Sequence, residues 1–540
     1  MPKLKNITLA LLCICLLSFC KRSPTTWEDD VVAPLATGSL SLANLFPDTV
    51  IKANADSSLK IAFETALINF QLDSLIKIPD TTIVINDTNA YFPSKLPGGQ
   101  NSIFSNPTIP ATYYNLPNGI QLRKAIVRQG TVNIKLYNSY RQPLLYEYQL
   151  PSATKNGIAL DTTFYIPGAT SASVPGLKIC SINLAGYDID FTGPLHNATN
   201  QLMQGGNLST APNAVTDTLF VHQGLRGYFS FTGMVPQYAT GYFGNQSITV
   251  GPDTTSFAGL SSIKKGLLNL NSANVSLKIS NQFGVAMKAT ISQLSSINTY
   301  NPSTVNLTTT NGALSNLIVS PGFDNNGPNN PVINISPGIL TTSLNNGNSN
   351  VKDFLGNLPN KLSFKLKAQI NPFNNQGGNN DFGYYGTSFS ANLSLDVPLY
   401  FAASNLMLAD TVSLNVSNVS QLQNVNKGNL ILTATNQYPF SIYLSAVLLD
   451  ENKHPIDNLF SSPSLIEAPL LDVNGKVISP LKSKLFIPLN PQKIANVQKA
   501  RYVSYSATFN TANQPTQVKF YSNYTLNLLL TADINYTIGK

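Results

Sequence analysis

Val132-Asn133-Ile134-Lys135-Leu136-Tyr137-Asn138-Ser139-Tyr140 alternates apolar and polar residues, reaches an asparagine, and places an aromatic two residues beyond it. The pattern returns in Val275-x-Leu277-x-Ile279-x-Asn281-x-Phe283 and again in Leu430-x-Leu432-x-Ala434-x-Asn436-x-Tyr438. Gly130 and Gly428 stand eight residues before their asparagines, with Ala273 in the middle copy. A period of two is the mark of a half-buried strand. Each copy is followed by a second alternating run: Leu144, Tyr146, Tyr148 and Leu150; Val285, Met287, Ala289 and Ile291; Phe440, Ile442, Leu444, Ala446 and Leu448. The unit therefore reads as a strand, a short turn opened by Asn, and a returning strand, a hairpin. Asn suits that place because its side chain bonds a turning backbone and tolerates left-handed torsions. Asn138, Asn281 and Asn436 are accordingly read as structural turn residues.

The copies lie 281 − 138 = 143 and 436 − 281 = 155 residues apart, about one domain each. The C-terminus shows the longest alternation: Tyr524, Leu526, Leu528, Leu530, Ala532, Ile534, Tyr536 and Ile538 fall on one face. Held that long, the period predicts one strand on the order of 50 Å, with a twist and a bulge. The fold class is all-β with few helices: tandem sandwich units, standing separately or merged into long curved sheets. The alternating strand that ends in Asn resembles the immunoglobulin-like sandwich of water-stress and late-embryogenesis proteins. One helix is expected near Val351 to Leu358, with Asn350 as its cap and Phe354 and Leu355 inward. The Asn-, Gly- and Pro-rich passages 321–350 and 371–383 read as loops. Asp324-Asn325-Asn326-Gly327 lacks the alternating oxygens and closing Glu of a calcium loop, and reads as plain surface.

At the N-terminus, Lys3 and Lys5 precede a largely apolar run from Ile7 to Phe19. Thirteen residues are too few to span a bilayer and suit a signal peptide. The run closes in Leu17-Ser18-Phe19-Cys20, which resembles the lipobox of bacterial lipoproteins, although Phe19 replaces the usual small residue. That resemblance implies cleavage before Cys20 and acylation of its thiol. The acidic Glu28-Asp29-Asp30 behind it resembles the surface-export signal of Bacteroidota lipoproteins, which implies an outer-membrane anchor facing the cell exterior more than the periplasm. Seven copies of the O-glycosylation motif of that group place candidate acceptors at Thr49, Ser74, Thr81, Thr162, Thr218, Thr254 and Thr411. The same Asp-Thr pairs also suit a turn entering a strand. The expected divisions are a signal peptide at 1–19, a lipid anchor and tether at 20–47, with Trp27 docking it on the body, an N-terminal β region at 48–118, and three repeats at 119–264, 265–404 and 405–540.

Composition narrows the function. Of 540 residues, 43% are hydrophobic, enough for packed cores, and only 11% are charged. Thirty-four Lys and Arg against 26 Asp and Glu give 34 − 26 = +8. Adjacent basic pairs occur only at Lys21-Arg22, Arg123-Lys124 and Lys264-Lys265, far from the stripe a phosphate backbone needs, so nucleic acid is not an expected partner. His196, His222 and His454 are scattered, no HExxH, GxSxG, P-loop or GxGxxG is present, and neither metal nor cofactor is expected. Cys180 reads as a small buried strand residue. Asp188 and Asp190 share a strand face about 7 Å apart, a spacing open to glycoside hydrolysis or to a solvated face. Tyr238 with Tyr242 and Tyr384-Tyr385 could offer a sugar platform or simply pack across strands. The leading expectation is a non-catalytic outer-membrane-anchored lipoprotein acting as a surface binding or structural module, with an unidentified protein, glycan or lipid as partner. One alternative is an apolar-ligand carrier whose long strands, such as Leu362-x-Phe364-x-Leu366-x-Ala368-x-Ile370, wrap a tunnel as in bactericidal/permeability-type lipid-transfer folds. The other is a glycan-degrading enzyme.

Overall fold

The computed structural model describes residues 27–42, 50–71, 76, 78–88, 94–105, 111–258, 260, 263, 265–415, 425–511 and 517–538. Besides three three-residue strands, four longer strands come first: β1 (Trp27–Ser41), β2 (Leu59–Gln71), β3 (Thr81–Thr88) and β4 (Ser102–Ser105). None pairs with another of the four; each is claimed by a different part of the chain downstream.

The first repeat supplies β5 (Gln121–Asn138), β6 (Leu144–Lys155), β7 (Ile158–Ile166), β8 (Gly176–Asn183), the short β9 (Asp188–Asp190), β10 (Gly205–Thr210) and β11 (Gly224–Tyr242). One layer has the order β3-β11-β5-β8 and the other β4-β10-β6-β7, all antiparallel. β9 pairs with both β5 and β6 and so joins the two layers at one end. Across the layers, Tyr148 stacks on Phe229 at 4.8 Å, which marks two faces closing on one core.

The second repeat adds β12 (Ser247–Ser256), β13 (Asn274–Asn281), β14 (Met287–Asn298), β15 (Leu317–Val319), β16 (Gly338–Leu344), α1 (Val351–Gly356), β17 (Lys361–Ile370), β18 (Asp381–Tyr384) and β19 (Ser388–Pro398). Its layers are β2-β19-β13-β16 and β12-β17-β14-β15. The third adds β20 (Leu406–Ser413), β21 (Val425–Asn436), β22 (Ile442–Leu449), β23 (Ser464–Ile466), β24 (Leu481–Pro488), α2 (Pro491–Lys499), β25 (Tyr502–Phe509) and β26 (Thr525–Ile538). Its layers are β1-β26-β21-β24 and β20-β25-β22-β23. The all-β expectation holds, and one four-on-four strand plan is used three times.

Several boundaries change. Residues 27–41, expected within a tether at 20–47, are an edge strand of the third sandwich, paired from Trp27↔Ile538 to Ser41↔Thr525. The described residues of 48–118 form no region of their own: β2 completes the second sandwich, and β3 and β4 the first. The division expected after residue 264 moves to before β12, which pairs with β17 in the second sandwich. The N-terminal segment thus visits the repeats in reverse order, third, second, first. The asparagine motif is an arch and not a hairpin. β5, β13 and β21 each lie in one layer while the following β6, β14 and β22 lie in the facing one. Alternation buries one face of each strand, so a strand leaving one layer can turn straight across the core to the other.

Among passages read as loops, 321–350 contains β16, the edge partner of β13, and 371–383 runs into β18. α1 buries Val351, Phe354 and Leu355, yet the Asn350 side chain makes no cap bond. It accepts from Thr308 N and donates to Asn306 O instead. α2 was not anticipated, although Asn490 accepts from Lys493 N at 2.8 Å and Pro491 opens the helix, both ordinary start signals. The bulge expected in β26 falls in its partner β1, between Pro34 and Ala36.

Candidate functional site

The three arches share one bonding scheme. Asn138 Nδ2 donates to Gln142 O and Pro167 O, both at 2.9 Å, while its Oδ1 accepts from Tyr140 N at 2.8 Å. Asn281 donates to Val285 O at 2.8 Å and Ser320 O at 2.9 Å, and accepts from Phe283 N. Asn436 donates to Phe440 O at 3.0 Å and Glu467 O at 2.9 Å, and accepts from Tyr438 N. All three side chains are fully buried. The second carbonyl always follows the edge strand that pairs with the strand leaving the arch (β7, β15 or β23), so one amide ties both layers.

Two arches sit where sandwiches meet. At the second-to-third junction, Phe520 stacks on Phe401 at 4.5 Å, its N–H donates to Leu399 O, and its carbonyl accepts from Leu59 N. Tyr438 closes over this cluster and donates its hydroxyl to Leu40 O. At the first-to-second junction, Gly284 N donates to Phe382 O and β18 pairs with the end of β11. Asp381 is buried there, accepting from Phe243 N at 2.8 Å and Asn371 Nδ2 at 2.6 Å. Burial pushes its carboxyl above the ordinary aspartate value, against the pull of those two bonds. Tyr384 and Tyr238 pack with their rings tilted, centroids 4.8 Å apart, in the same junction and are buried, and Arg128 lies 4.0 Å over Tyr385. These tyrosines pack across strands; only the arch at Asn138 lies away from both junctions.

Asp188 and Asp190 line a cleft of about 630 Å³ beside that first junction, with Arg123, Lys124, His196 and Asn380. Each acid is already engaged. Asp188 meets Lys124 Nζ at 2.7 Å, with both side chains about a third exposed. Asp190 accepts from Thr192 N at 2.8 Å, bonds the Thr192 hydroxyl, and meets His196 Nδ1 at 2.9 Å. Glycoside hydrolysis asks for one carboxyl kept protonated by apolar surroundings and a second left free to attack or activate water. Here one carboxylate is paired with an ammonium and the other fixed by three donors. The Thr192 hydroxyl and Asp190 both address His196 Nδ1, at 3.1 and 2.9 Å, whereas a hydrolytic triad sets acid and nucleophile on opposite ring nitrogens.

Cys20, Thr49 and Ser74 lie outside the described residues. Thr218, Thr254 and Thr411 are exposed on strands, and Thr81 and Thr162 are half-buried on theirs. In Asp217-Thr218, Asp253-Thr254 and Asp410-Thr411 the carboxylate accepts from the threonine N–H, the local turn chemistry of the Asp-Thr pair. Trp27 begins β1 and is exposed. Cys180 is half-buried on β8, and burial raises its thiol. Asp324 Oδ1 accepts from Asn326 N and Gly327 N, and its Oδ2 bonds the Tyr384 hydroxyl, so the carboxylate is spent on the loop and the junction. Among the described residues no three His, Cys, Asp or Glu gather as a metal site, and no helix is long and apolar enough to cross a membrane. The run Leu362, Phe364, Leu366, Ala368 and Ile370 is buried in the second core and lines packed side chains, not a tunnel.

No protein family matches the sequence, and no curated protein does. Among solved structures, one described as a "putative secreted protein from Parabacteroides distasonis ATCC 8503" is 12% identical, covering 53% of this chain and 82% of that one with a TM-score of 0.27. The VP2 subviral particle of infectious bursal disease virus is 9% identical over 92% of this chain and 86% of that one, with a TM-score of 0.11. Superpositions this loose leave fold and function to be argued from the chain's own residues.

Proposed function

We propose that the chain is a non-catalytic surface lipoprotein, anchored in the outer membrane through acylated Cys20, that carries three sandwiches outward with the third nearest the membrane. The observation that carries this reading is the course of β1. It starts only 27 − 20 = 7 residues after Cys20, a span of at most about 25 Å. Trp27 pairs with Ile538, at the end of β26 opposite the junction with the second sandwich. An anchor at Cys20 would thus tether the chain by the end of the third sandwich that lies away from the second, with the Asn138 arch in the sandwich farthest from it. Engaged carboxylates in the 630 Å³ cleft favour a binding or structural role over hydrolysis.

The test is incorporation of an alkyne-tagged fatty acid into wild type and Cys20→Ala in the native host, with protease added to intact cells. The reading expects a label that Cys20→Ala abolishes, and first-sandwich epitopes removed from outside before third-sandwich ones. A label that survives the substitution, or no label in wild type, overturns it.

A further inference from the structure

We infer that the first sandwich holds a binding site for a small neutral molecule of one-ring size that carries a carbonyl acceptor. The site is a pocket of about 200 Å³ between the edge strands of the two layers, with apolar walls from Ile83 and Ile85 on β3, Phe104 on β4 and Leu208 on β10. A cavity near 150 Å³ holds one benzene ring, so the space fits a ring with a small substituent.

Two residues of this lining each carry a buried polar atom without a partner. Tyr146 and Gln204 are each 2% exposed, and among the described residues neither Tyr146 Oη nor Gln204 Nε2 has a hydrogen-bond partner. Leaving such groups buried and unbonded costs about 1–3 kcal/mol apiece. The Gln204 amide is oriented: its Oε1 accepts from the Tyr148 hydroxyl at 3.2 Å, which leaves Nε2 as the free donor. Gly206 makes room for the phenol, since a Cβ there would stand 2.7 Å from Tyr146 Oη and 2.3 Å from Glu147 O. Asp87 adds an acid to the lining, its carboxyl raised by burial, which suits a neutral guest better than an anionic one.

Among the described residues the sister sandwiches are built differently along these edges. Their edge strands are longer, and aromatic residues fill the matching region. Phe63 meets Phe257 edge to face at 5.2 Å in the second, and the Tyr505 ring closes over Gly38 in the third. In the first, β3 and β4 run only 8 and 4 residues. An apolar pocket with a few convergent polar groups is the usual form of a small-molecule site. This inference holds whether or not Cys20 carries lipid.

The experiment titrates the purified full chain with acetophenone and with ethylbenzene, of similar shape but lacking the carbonyl, following methyl resonances of Ile83, Ile85 and Leu208. Wild type is expected to bind acetophenone saturably and at least about tenfold more tightly than ethylbenzene, the worth of one satisfied buried donor. Tyr146→Phe, which keeps shape and removes only an unpartnered hydroxyl, should shrink that preference with an unchanged or raised melting temperature, and Gln204→Met should shrink it too but with a lowered melting temperature, because it also removes the acceptor of the Tyr148 hydroxyl. No saturable binding of either probe to folded wild type overturns the inference. So does a preference that both variants leave intact.

Discussion

Replacing Asn436 by alanine probes the arch most directly. The substitution removes two donors, to Phe440 O at 3.0 Å and Glu467 O at 2.9 Å, and the acceptor for Tyr438 N at 2.9 Å, all inside a fully buried shell. Three net hydrogen bonds are worth about 3 kcal/mol, and the stranded carbonyls and N–H raise the loss toward about 5 kcal/mol. The sequence has one tryptophan, Trp27, on the strand that closes the third sandwich, so its fluorescence reports that unit during urea unfolding. With a slope of about 2 kcal/mol per molar urea for a domain of this size, the midpoint should fall by about 1.5–2.5 M. Asn436→Asp should do at least as much harm at neutral pH, because a carboxylate oxygen would face both carbonyls. Asn138→Ala, in the farthest sandwich, should leave the Trp27 midpoint in place. A shift below about 0.5 M for Asn436→Ala, or a harmless Asn436→Asp, would refute the idea that this amide ties the layers.

Removing residues 27–41 should leave β26 as a bare edge and turn the chain into a self-associating species, and adding the 27–41 peptide should restore a monomer in light scattering. Asp381, whose folded pKa is raised above its unfolded value, adds stability that is full below the unfolded value and is lost as pH rises through the folded one. Hydrogen exchange of the β18 amides, corrected for intrinsic rates, should therefore show the first junction loosening with rising pH above about 4, a trend that Asp381→Asn flattens. Asp188→Asn should change stability by less than about 1 kcal/mol, as for any exposed ion pair, and a larger loss in a denaturation curve would mean that Lys124 is held there for more than charge pairing.

The strands were legible because alternation is a local signal: the faces that carry Leu136, Ile279 and Leu432 are all buried. The three asparagines were legible as turn residues, but not as arches. A hairpin and an arch share the same local sequence, and only the facing layer, supplied by Pro167, Ser320 and Glu467, separates them. The partners of β1, β2 and β3 lay beyond reading for the same reason, since pairing between strands far apart in the chain, as from Trp27 to Ile538 or from Thr88 to Gly224, leaves no periodicity in either strand. Glu28-Asp29-Asp30 was read as a sorting signal, and in the fold it also forms the exposed start of β1. Of the candidate sites, the acids at 188 and 190 announced themselves by spacing. The Gln204-Gly205-Gly206 corner did not, because its meaning depends on a ring contributed from β6.

The register of β1 also bears on how the molecule carries tension. Fourteen residue pairs join β1 to β26, antiparallel, along nearly the whole of both strands. Force arriving at Trp27 from the N-terminal side and resisted by the farther sandwiches draws β1 lengthwise past its neighbour, so the ladder is loaded all at once in shear. A strand peeled from its end would surrender one bond at a time. The third sandwich is thereby clamped at the point where a pull from residue 27 would first be felt, and the two beyond it hang on junctions sealed by Phe520 and Phe382.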